Sequence, residues 1–116
     1  MLKSLLGQSA ESHAEAFLKA RGLKLMARNW RCRFGEIDLI MQDGTTLVFI
    51  EVRLRSRSDF GGAAASVTPA KQKKLLATAR QYLTTLKTLP PCRFDVVALS
   101  GDNPPDWIRN AFDDMG

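Results

Sequence analysis

Acidic side chains and one arginine recur at strand spacing in the first half of the chain, a pattern suited to holding a divalent metal ion. Glu36 and Asp38 are separated by one residue, as are Glu51 and Arg53 further on. Residues two apart in a strand share a face. Carboxylates that approach from neighbouring strands provide the oxygen ligands that Mg²⁺ and Mn²⁺ prefer. The alternative is a set of ion pairs on an exposed hairpin, which are common and individually weak.

The dipeptide Asp43-Gly44 predicts a tight β-hairpin that joins the two acidic segments. In the register that a two-residue turn at this dipeptide imposes, Glu36 lies opposite Glu51 and Asp38 lies opposite Phe49. Asp38 and Glu51 are then diagonal neighbours, roughly 7–8 Å apart at the backbone. Without a cation between them, the two carboxylates would repel each other.

The spacing of apolar residues predicts the elements that position these groups. In chain order we expect a helix over about residues 9–21, strands over 23–32, 35–42 and 45–54, a helix from Thr68 to about residue 87, a strand over 93–99 and a short closing helix over 107–112. Thr68 and Pro69 are typical of a helix start. The resulting order, α-β-β-β-α-β with a C-terminal helix, indicates one α/β or α+β domain with a mixed sheet over residues 1–116.

The first helix offers a further carboxylate. At about 100° per residue, Glu11 falls close to the direction of Leu18, at the edge of the apolar face, whereas Glu15 is expected to face solvent. The connection over about residues 55–67 is longer than most and contains Gly61-Gly62, which favours a functional role for this loop. The alternative for Glu11 is an ordinary carboxylate on a helix surface.

The chain of 116 residues carries a net charge of +5, and its basic residues are clustered. The clusters that follow the acidic hairpin and the predicted helix start are Arg53, Arg55 and Arg57, and Lys71, Lys73 and Lys74. A basic surface suits a polyanion such as nucleic acid, and a helix N-terminus favours phosphate. The alternative is a solvated basic surface. Two isolated cysteines and the lack of a long apolar segment predict a cytoplasmic protein with reduced thiols and no membrane partner.

The chain resembles the YraN family of bacterial endonuclease-like proteins, a branch of the PD-(D/E)xK nuclease superfamily related to archaeal Holliday junction resolvases. An ordered set of motifs carries the resemblance: Gly7 and Glu11 with Ala14, Phe17 and Leu18, Asn-Trp-Arg at 29–31, Gly-Glu-Ile-Asp-Leu-Ile at 35–40, Phe-Ile-Glu-Val-Arg at 49–53, Val67 with Lys71, Tyr-Leu at 82–83, Arg-Phe-Asp-Val-Val at 93–97, Trp-Ile at 107–108 and Asn-Ala-Phe at 110–112.

The resemblance implies a restriction-endonuclease-like core with a site for Mg²⁺ or Mn²⁺ that hydrolyses phosphodiesters. By position, Asp38 and Glu51 match the metal-binding carboxylates, and Glu11 matches a first-helix glutamate of the resolvase-like branch, which makes it the third expected metal ligand of the catalytic site. Arg53 stands where the superfamily has a lysine. Because an arginine side chain keeps its proton at physiological pH, Arg53 can bind phosphate or stabilise developing charge but leaves the general base unassigned.

Three functions fit these observations. The first is a metal-dependent nuclease that acts on DNA, branched or single-stranded, with Arg55, Arg57 and the lysine cluster contacting the nucleic acid. The second is a nucleic-acid-binding module that keeps the fold without cleavage, and the third is an adaptor in a protein complex. The carboxylate set favours the nuclease. Arg53 favours the module without cleavage, because it leaves the general base unassigned. A homodimer follows only by analogy with resolvases, which cut two equivalent strands.

Overall fold

Five strands form one mixed sheet, and a helix packs against each of its faces. The computed structural model describes residues 2–55, 67–101 and 103–112, with the side chains of the first helix described from Ala10 onward. In chain order the elements are α1 (Leu2–Lys19), β1 (Lys24–Cys32), β2 (Gly35–Asp43), β3 (Thr46–Leu54), α2 (Pro69–Leu83), β4 (Cys92–Leu99) and β5 (Asp106–Phe112). The predicted mixed α/β architecture is confirmed.

The strands lie in the sheet in the order in which they occur along the chain. The pair β3–β4 is parallel, and the other three pairs are antiparallel. A parallel pair of adjacent strands needs a long crossover, and α2 lies in this connection. The central strand β3 is therefore flanked by β2, which carries Asp38, and by β4.

The sheet separates two apolar cores, one under each helix. On the α1 side, Leu39, Met41, Val48 and Ile50 pack against the helix residues Ala10, Ala14 and Leu18. On the α2 side, Ile40, Phe49, Phe94 and Val96 pack against Leu75, Ala79 and Tyr82. Because both faces are covered, a charged side chain on a central strand is taken out of water unless it lies near a sheet edge or opening.

Helix α2 begins where the sequence predicts. Thr68 is the N-cap, and its hydroxyl accepts a hydrogen bond from the backbone N–H of Lys71 at 3.2 Å, while Pro69 occupies the first helical position. The helix ends at Leu83, four residues before the predicted end at Lys87. The first turn of α2 is thus held next to the end of β3.

The predicted register of the β2–β3 hairpin is wrong by two residues. Asp43 pairs with Thr46, so the turn residues are Gly44 and Thr45. Gly44 has a φ of +61°, which fits a type II′ turn with glycine at its first central position. When the observed register is continued by one residue beyond the Leu39–Ile50 pair, Asp38 lies directly opposite Glu51 rather than diagonal to it.

The predicted closing helix over residues 107–112 is also wrong, because this segment is strand β5. It pairs antiparallel with β4, Trp107 opposite Val97 and Ile108 opposite Val96. A segment of seven residues is too short for apolar spacing to separate a helix from a strand, and pairing with the exposed edge of β4 decides the outcome. The predicted loop with Gly61-Gly62, and Arg57 beside it, lie outside the described residues.

Within the ranges that the structure describes, neither helix has the length and apolar character needed to cross a membrane.

Candidate functional site

Asp38 interrupts the hydrogen-bonded ladders on both sides of β2. The β1–β2 register passes from Arg28–Leu39 to Trp30–Ile37 and leaves out Asp38. The β2–β3 ladder ends at Leu39. There the backbone N–H of Val52 donates to Asp38 Oδ2 at 2.8 Å. The carboxylate thus takes the place of a backbone acceptor, and this contact binds the side chain to β3.

Asn29 lies on β1 beside this interruption and has a left-handed backbone, with φ of +47°. Asparagine is among the few residues that tolerate this conformation. Its side chain hydrogen-bonds the carboxyl of Glu11 on α1. The strand irregularity at Asp38 and the strained residue opposite it therefore lie together at the same point of the sheet, a combination often found at functional sites.

The carboxyls of Glu11 and Asp38 hydrogen-bond to each other. Burial, together with the negative charge of Glu11, raises the pKa of Asp38 to about 7, although the Val52 N–H opposes the shift. Burial also raises the pKa of Glu11. Because both pKa values are raised and two neighbouring carboxyls cannot both be charged at low cost, a state with one of them protonated is favoured in the absence of a cation.

Glu51 is the buried carboxylate of β3, with 8% of its surface exposed. Its Oε1 lies 3.1 Å from Lys71 Nζ on α2 and 3.6 Å from Arg53 Nη1 on its own strand. Burial, followed by the charge of Asp38, raises the pKa of Glu51 against the opposing effect of the two cations. Asp38 and Glu51 therefore interact electrostatically.

These groups border a cavity of about 240 Å³ between the hairpin and the first turns of α2. Its lining residues are Gly35, Glu36, Asp38, Glu51, Lys71, Lys74 and Leu75. The cavity brings carboxylates from two strands together with lysines from a helix, and it is wide enough for several water molecules. It is a polar site built on rigid elements.

The donor set fits a hard divalent cation held by few protein ligands. In the parts of the chain that the structure describes, no three His, Cys, Asp or Glu side chains form a ready metal-binding group. Mg²⁺, however, is commonly bound by one or two carboxylates together with water and substrate phosphate. Asp38 and Glu51 meet that requirement. Neighbouring carboxylates with raised pKa values, here half-buried Asp38 and buried Glu51, are also the groups whose charge a cation would stabilise most.

Some of the other predicted site residues border the cavity, and others lie away from it. Glu36 borders the cavity but pairs with Arg31. Lys73 is exposed and is not a lining residue. Arg55 lies near Asp106 at the start of β5, with 3.8 Å between Nη1 and Oδ2. Of the predicted nucleic-acid-binding residues that the structure describes, Lys71 and Lys74 border the cavity.

The expectation that Glu15 faces solvent is wrong. Glu15 is 6% exposed and accepts two hydrogen bonds from Arg28 on β1, at 2.5 and 2.9 Å, while Lys19 Nζ lies 2.7 Å from its Oε2. The bonds from Arg28 are the main reason that the pKa of Glu15 falls to about 2. The i,i+4 spacing of Glu15 and Lys19 is a sequence signal for part of this cluster, but the contact with Arg28 depends on how α1 crosses the sheet.

A family model described as "Uncharacterised protein family UPF0102" matches residues 10–99. The chain belongs to this family. The matched range includes Glu11, Asp38, Glu51 and Lys71, and ends with strand β4, so that β5 lies beyond it.

Relatives in several bacteria match nearly the whole chain. A UPF0102 protein of Nitrosospira multiformis is 57% identical over 115 residues, which cover 97% of each chain. One of Nitrosomonas eutropha is 56% identical over 108 residues, or 93% of each chain. A third, of Cupriavidus necator, is 58% identical over 111 residues, which are 94% of this chain and 83% of the relative. Their names state the UPF0102 family and no activity.

Proposed function

We propose that the protein is a divalent-metal-dependent nuclease with its active site in the cavity between β2, β3 and α2. The observation that carries this proposal is the pair of carboxylates on neighbouring strands, half-buried Asp38 and buried Glu51, which line one cavity with Lys71 and interact electrostatically. A like-charged pair that is withdrawn from water is costly to maintain. Such groups are typical of functional sites, where charge is kept for chemistry or binding.

The resemblance to the PD-(D/E)xK superfamily supports the same proposal. Its core would be of the restriction-endonuclease type, and its motif carboxylates correspond to Asp38 and Glu51. Bound between them, Mg²⁺ or Mn²⁺ would supply an activated water and neutralise phosphate charge. Hydrolysis then forms a bond from the water oxygen to phosphorus and breaks one phosphate ester bond.

The chain's own residues have distinct roles in this site. Asp38 and Glu51 would hold the cation, and the Val52 N–H fixes the orientation of Asp38. Glu11 would position Asp38 and take up or release the proton that the two carboxyls share. This proton must leave before Asp38 can ligate a cation, so we expect metal binding to strengthen as pH rises through 7.

Lys71 would take over the phosphate-binding role of the lysine that Arg53 replaces. Its amino group reaches Glu51 from α2 instead of from β3, and its side chain is 37% exposed, so that the group is accessible to a substrate phosphate. The first turn of a helix also attracts anions through its unpaired N–H groups. Arg53, two residues after Glu51 on the same strand, adds a second fixed positive charge.

Cleavage assays with purified protein test the proposal. Labelled single-stranded, duplex, flap and four-way-junction DNAs are incubated with Mg²⁺, Mn²⁺ or EDTA, using the wild type, Asp38→Asn and Glu51→Gln. Asp106→Asn is a matched control, because Asp106 is an exposed carboxylate that pairs with Arg55 outside the cavity. We expect metal-dependent cleavage by the wild type and the control, and a loss of at least about 100-fold in the two site variants.

Cleavage that survives in both site variants would point to contamination and overturn the assignment. Isothermal titration with Mn²⁺ gives a readout that is independent of activity. The wild type is expected to bind Mn²⁺, and Asp38→Asn is not.

A nucleic-acid-binding module without cleavage is the second candidate, favoured by the arginine at position 53. DNA binding by the wild type with a steep salt dependence, and no cleavage with either metal, would support it over the nuclease.

A further inference from the structure

An exposed aromatic ring lies at the tip of the β1–β2 hairpin, beside the candidate active site. Phe34 is 39% exposed, whereas the other phenylalanines whose side chains the structure describes are buried or half-buried. Arg33 and Phe34 form the two-residue turn between Cys32 and Gly35. The next residue, Gly35, lines the cavity that contains Asp38 and Glu51. Phe34 is therefore the sequence neighbour of a residue that lines the cavity.

The tip is held in place by close packing against α2. Gly35 has a φ of +153°, which disfavours other residues, and a Cβ at this position would come within 3.0 Å of Thr78 Oγ1. Thr78 is fully buried, and its hydroxyl donates to the backbone oxygen of Lys74 at 2.7 Å. The hairpin tip thus packs directly against the part of α2 that carries Lys74, and these two segments together form the rim of the cavity.

The charges around this rim suit a nucleic-acid strand. Lys71 and Lys74 line the cavity beside the carboxylates, and the exposed Arg33 lies at the hairpin tip, two residues before the lining residue Gly35. The guanidinium of Arg33 stands 4.8 Å from the centre of the Phe34 ring. Basic residues that track the backbone, combined with an aromatic ring, are how proteins bind single strands without reading their sequence. In a paired duplex, the base faces are covered by stacking and cannot reach such a ring.

We propose that Phe34 stacks on an unpaired base next to the phosphate bound in the cavity, so that the substrate is single-stranded or branched nucleic acid rather than plain duplex. This inference rests on the proposed function and specifies its substrate class. Arg33, whose guanidinium lies over one face of the ring, contacts the backbone beside that base and leaves the other face of the ring for stacking.

Equilibrium binding in EDTA tests the inference without requiring cleavage. Fluorescence anisotropy is measured with labelled single-stranded, flap and blunt duplex DNAs of matched sequence. The variants are Phe34→Ala, Phe34→Leu, which keeps an apolar side chain without a ring, and Phe34→Trp, which keeps the ring. Leu89→Ala is the control, because Leu89 is 77% exposed and lines a different cavity.

We expect Phe34→Ala and Phe34→Leu to weaken binding to single-stranded and flap DNA by about 5- to 100-fold. Duplex binding should change less than twofold, and Phe34→Trp and Leu89→Ala should bind like the wild type. Tryptophan emission of Phe34→Trp should also be quenched by single-stranded DNA more than that of the wild type. Thermal melts check that each variant is folded.

Two results would overturn the inference. One is wild-type affinity of Phe34→Ala for every DNA, and the other is an equal loss for duplex and single strand, which would assign Phe34 a role other than stacking. Both leave the proposed nuclease intact. If the wild type binds none of the DNAs, the proposed function itself fails, and with it the inference.

Discussion

Two acidic regions on the central strands of this molecule differ in how their charge is balanced. Asp95 on β4 is 1% exposed and accepts hydrogen bonds from Arg93 Nε, from the Trp107 indole at 2.9 Å and from the Asn110 N–H at 2.9 Å. The site on β2 and β3 places Asp38 and Glu51 next to each other, and the pKa of each is raised. The hydrogen bonds of Asp95 satisfy its carboxylate fully, whereas the surroundings of Asp38 and Glu51 disfavour the charged forms of their side chains.

The difference separates a structural carboxylate from groups kept for chemistry. Asp95 joins β5 to β4, because two of its partners lie on β5. Removing it would leave buried donors unsatisfied. Asp38 and Glu51, by contrast, destabilise the fold, since the negative charge of each raises the free energy of the charged form of the other. Stability alone would favour replacing one of them, which is typical of a functional site that sacrifices stability.

The largest effect expected from this contrast is on the stability of an Asp95→Ala variant. Its loss leaves the Trp107 indole, the Asn110 N–H and the Nε–H of Arg93 without their acceptor, although Arg93 keeps Asp43, 3.0 Å from its Nη2. We expect the free energy of unfolding to fall by about 3–5 kcal/mol. Denaturant titration followed by circular dichroism measures this change. Asp106→Ala is the control and should cost less than about 1 kcal/mol. A similarly small loss for Asp95→Ala would remove the distinction between the two regions.

Divalent metal should stabilise the acidic site and have no specific effect at Asp95. An ion that binds only the folded protein adds about 2.7 kcal/mol at a concentration 100 times its dissociation constant. We therefore expect Mg²⁺ or Mn²⁺ to raise the melting temperature of the wild type at pH 8. Chelation with EDTA should reverse the rise. Equal rises in the wild type and in Asp38→Asn would show that the ion binds elsewhere.

Asp38→Asn should make the metal-free protein more stable at pH 8. The amide oxygen can still accept the Val52 N–H, while the repulsion with Glu11 and Glu51 disappears. A gain on the order of 1–3 kcal/mol is expected, measured by urea titration in EDTA. The matched change Asp95→Asn removes a charge that has partners and should lower stability. If both asparagine variants lose stability, Asp38 is a structural carboxylate like Asp95.

The smallest effect expected, per pH unit, is a pH dependence of opposite sign for Asp38 and Glu15. The folded-state pKa of Asp38 is raised to about 7, so its unfavourable contribution grows as pH rises from about 4 to 7, by at most about 1.4 kcal/mol per pH unit. The pKa of Glu15 is lowered to about 2, so its stabilisation is lost as pH falls from about 4.5 toward 2. Unfolding measured across pH 2–8 for the wild type, Asp38→Asn and Glu15→Gln should show the two slopes.

Local signals were sufficient for most of the fold. Thr68 and Pro69 identified the start of α2, and the spacing of apolar residues identified β3. The turn at Gly44 was recognised, but its register was missed, because a glycine is compatible with either the first or the second central position of a tight turn. The strand β5 was predicted as a helix, since apolar spacing over seven residues does not separate a helix from a strand.

The sequence by itself determined which groups could form a site: carboxylates at strand spacing, a glycine turn between them and a capped helix that follows. Only the tertiary structure decided how they meet. The packing of two helices on opposite faces sets the register that brings Asp38 beside Glu51, buries Glu15 under Arg28 and brings Lys71 within 3.1 Å of Glu51. Periodicity depends on neighbours along the chain, whereas these contacts depend on the burial of both sheet faces at once.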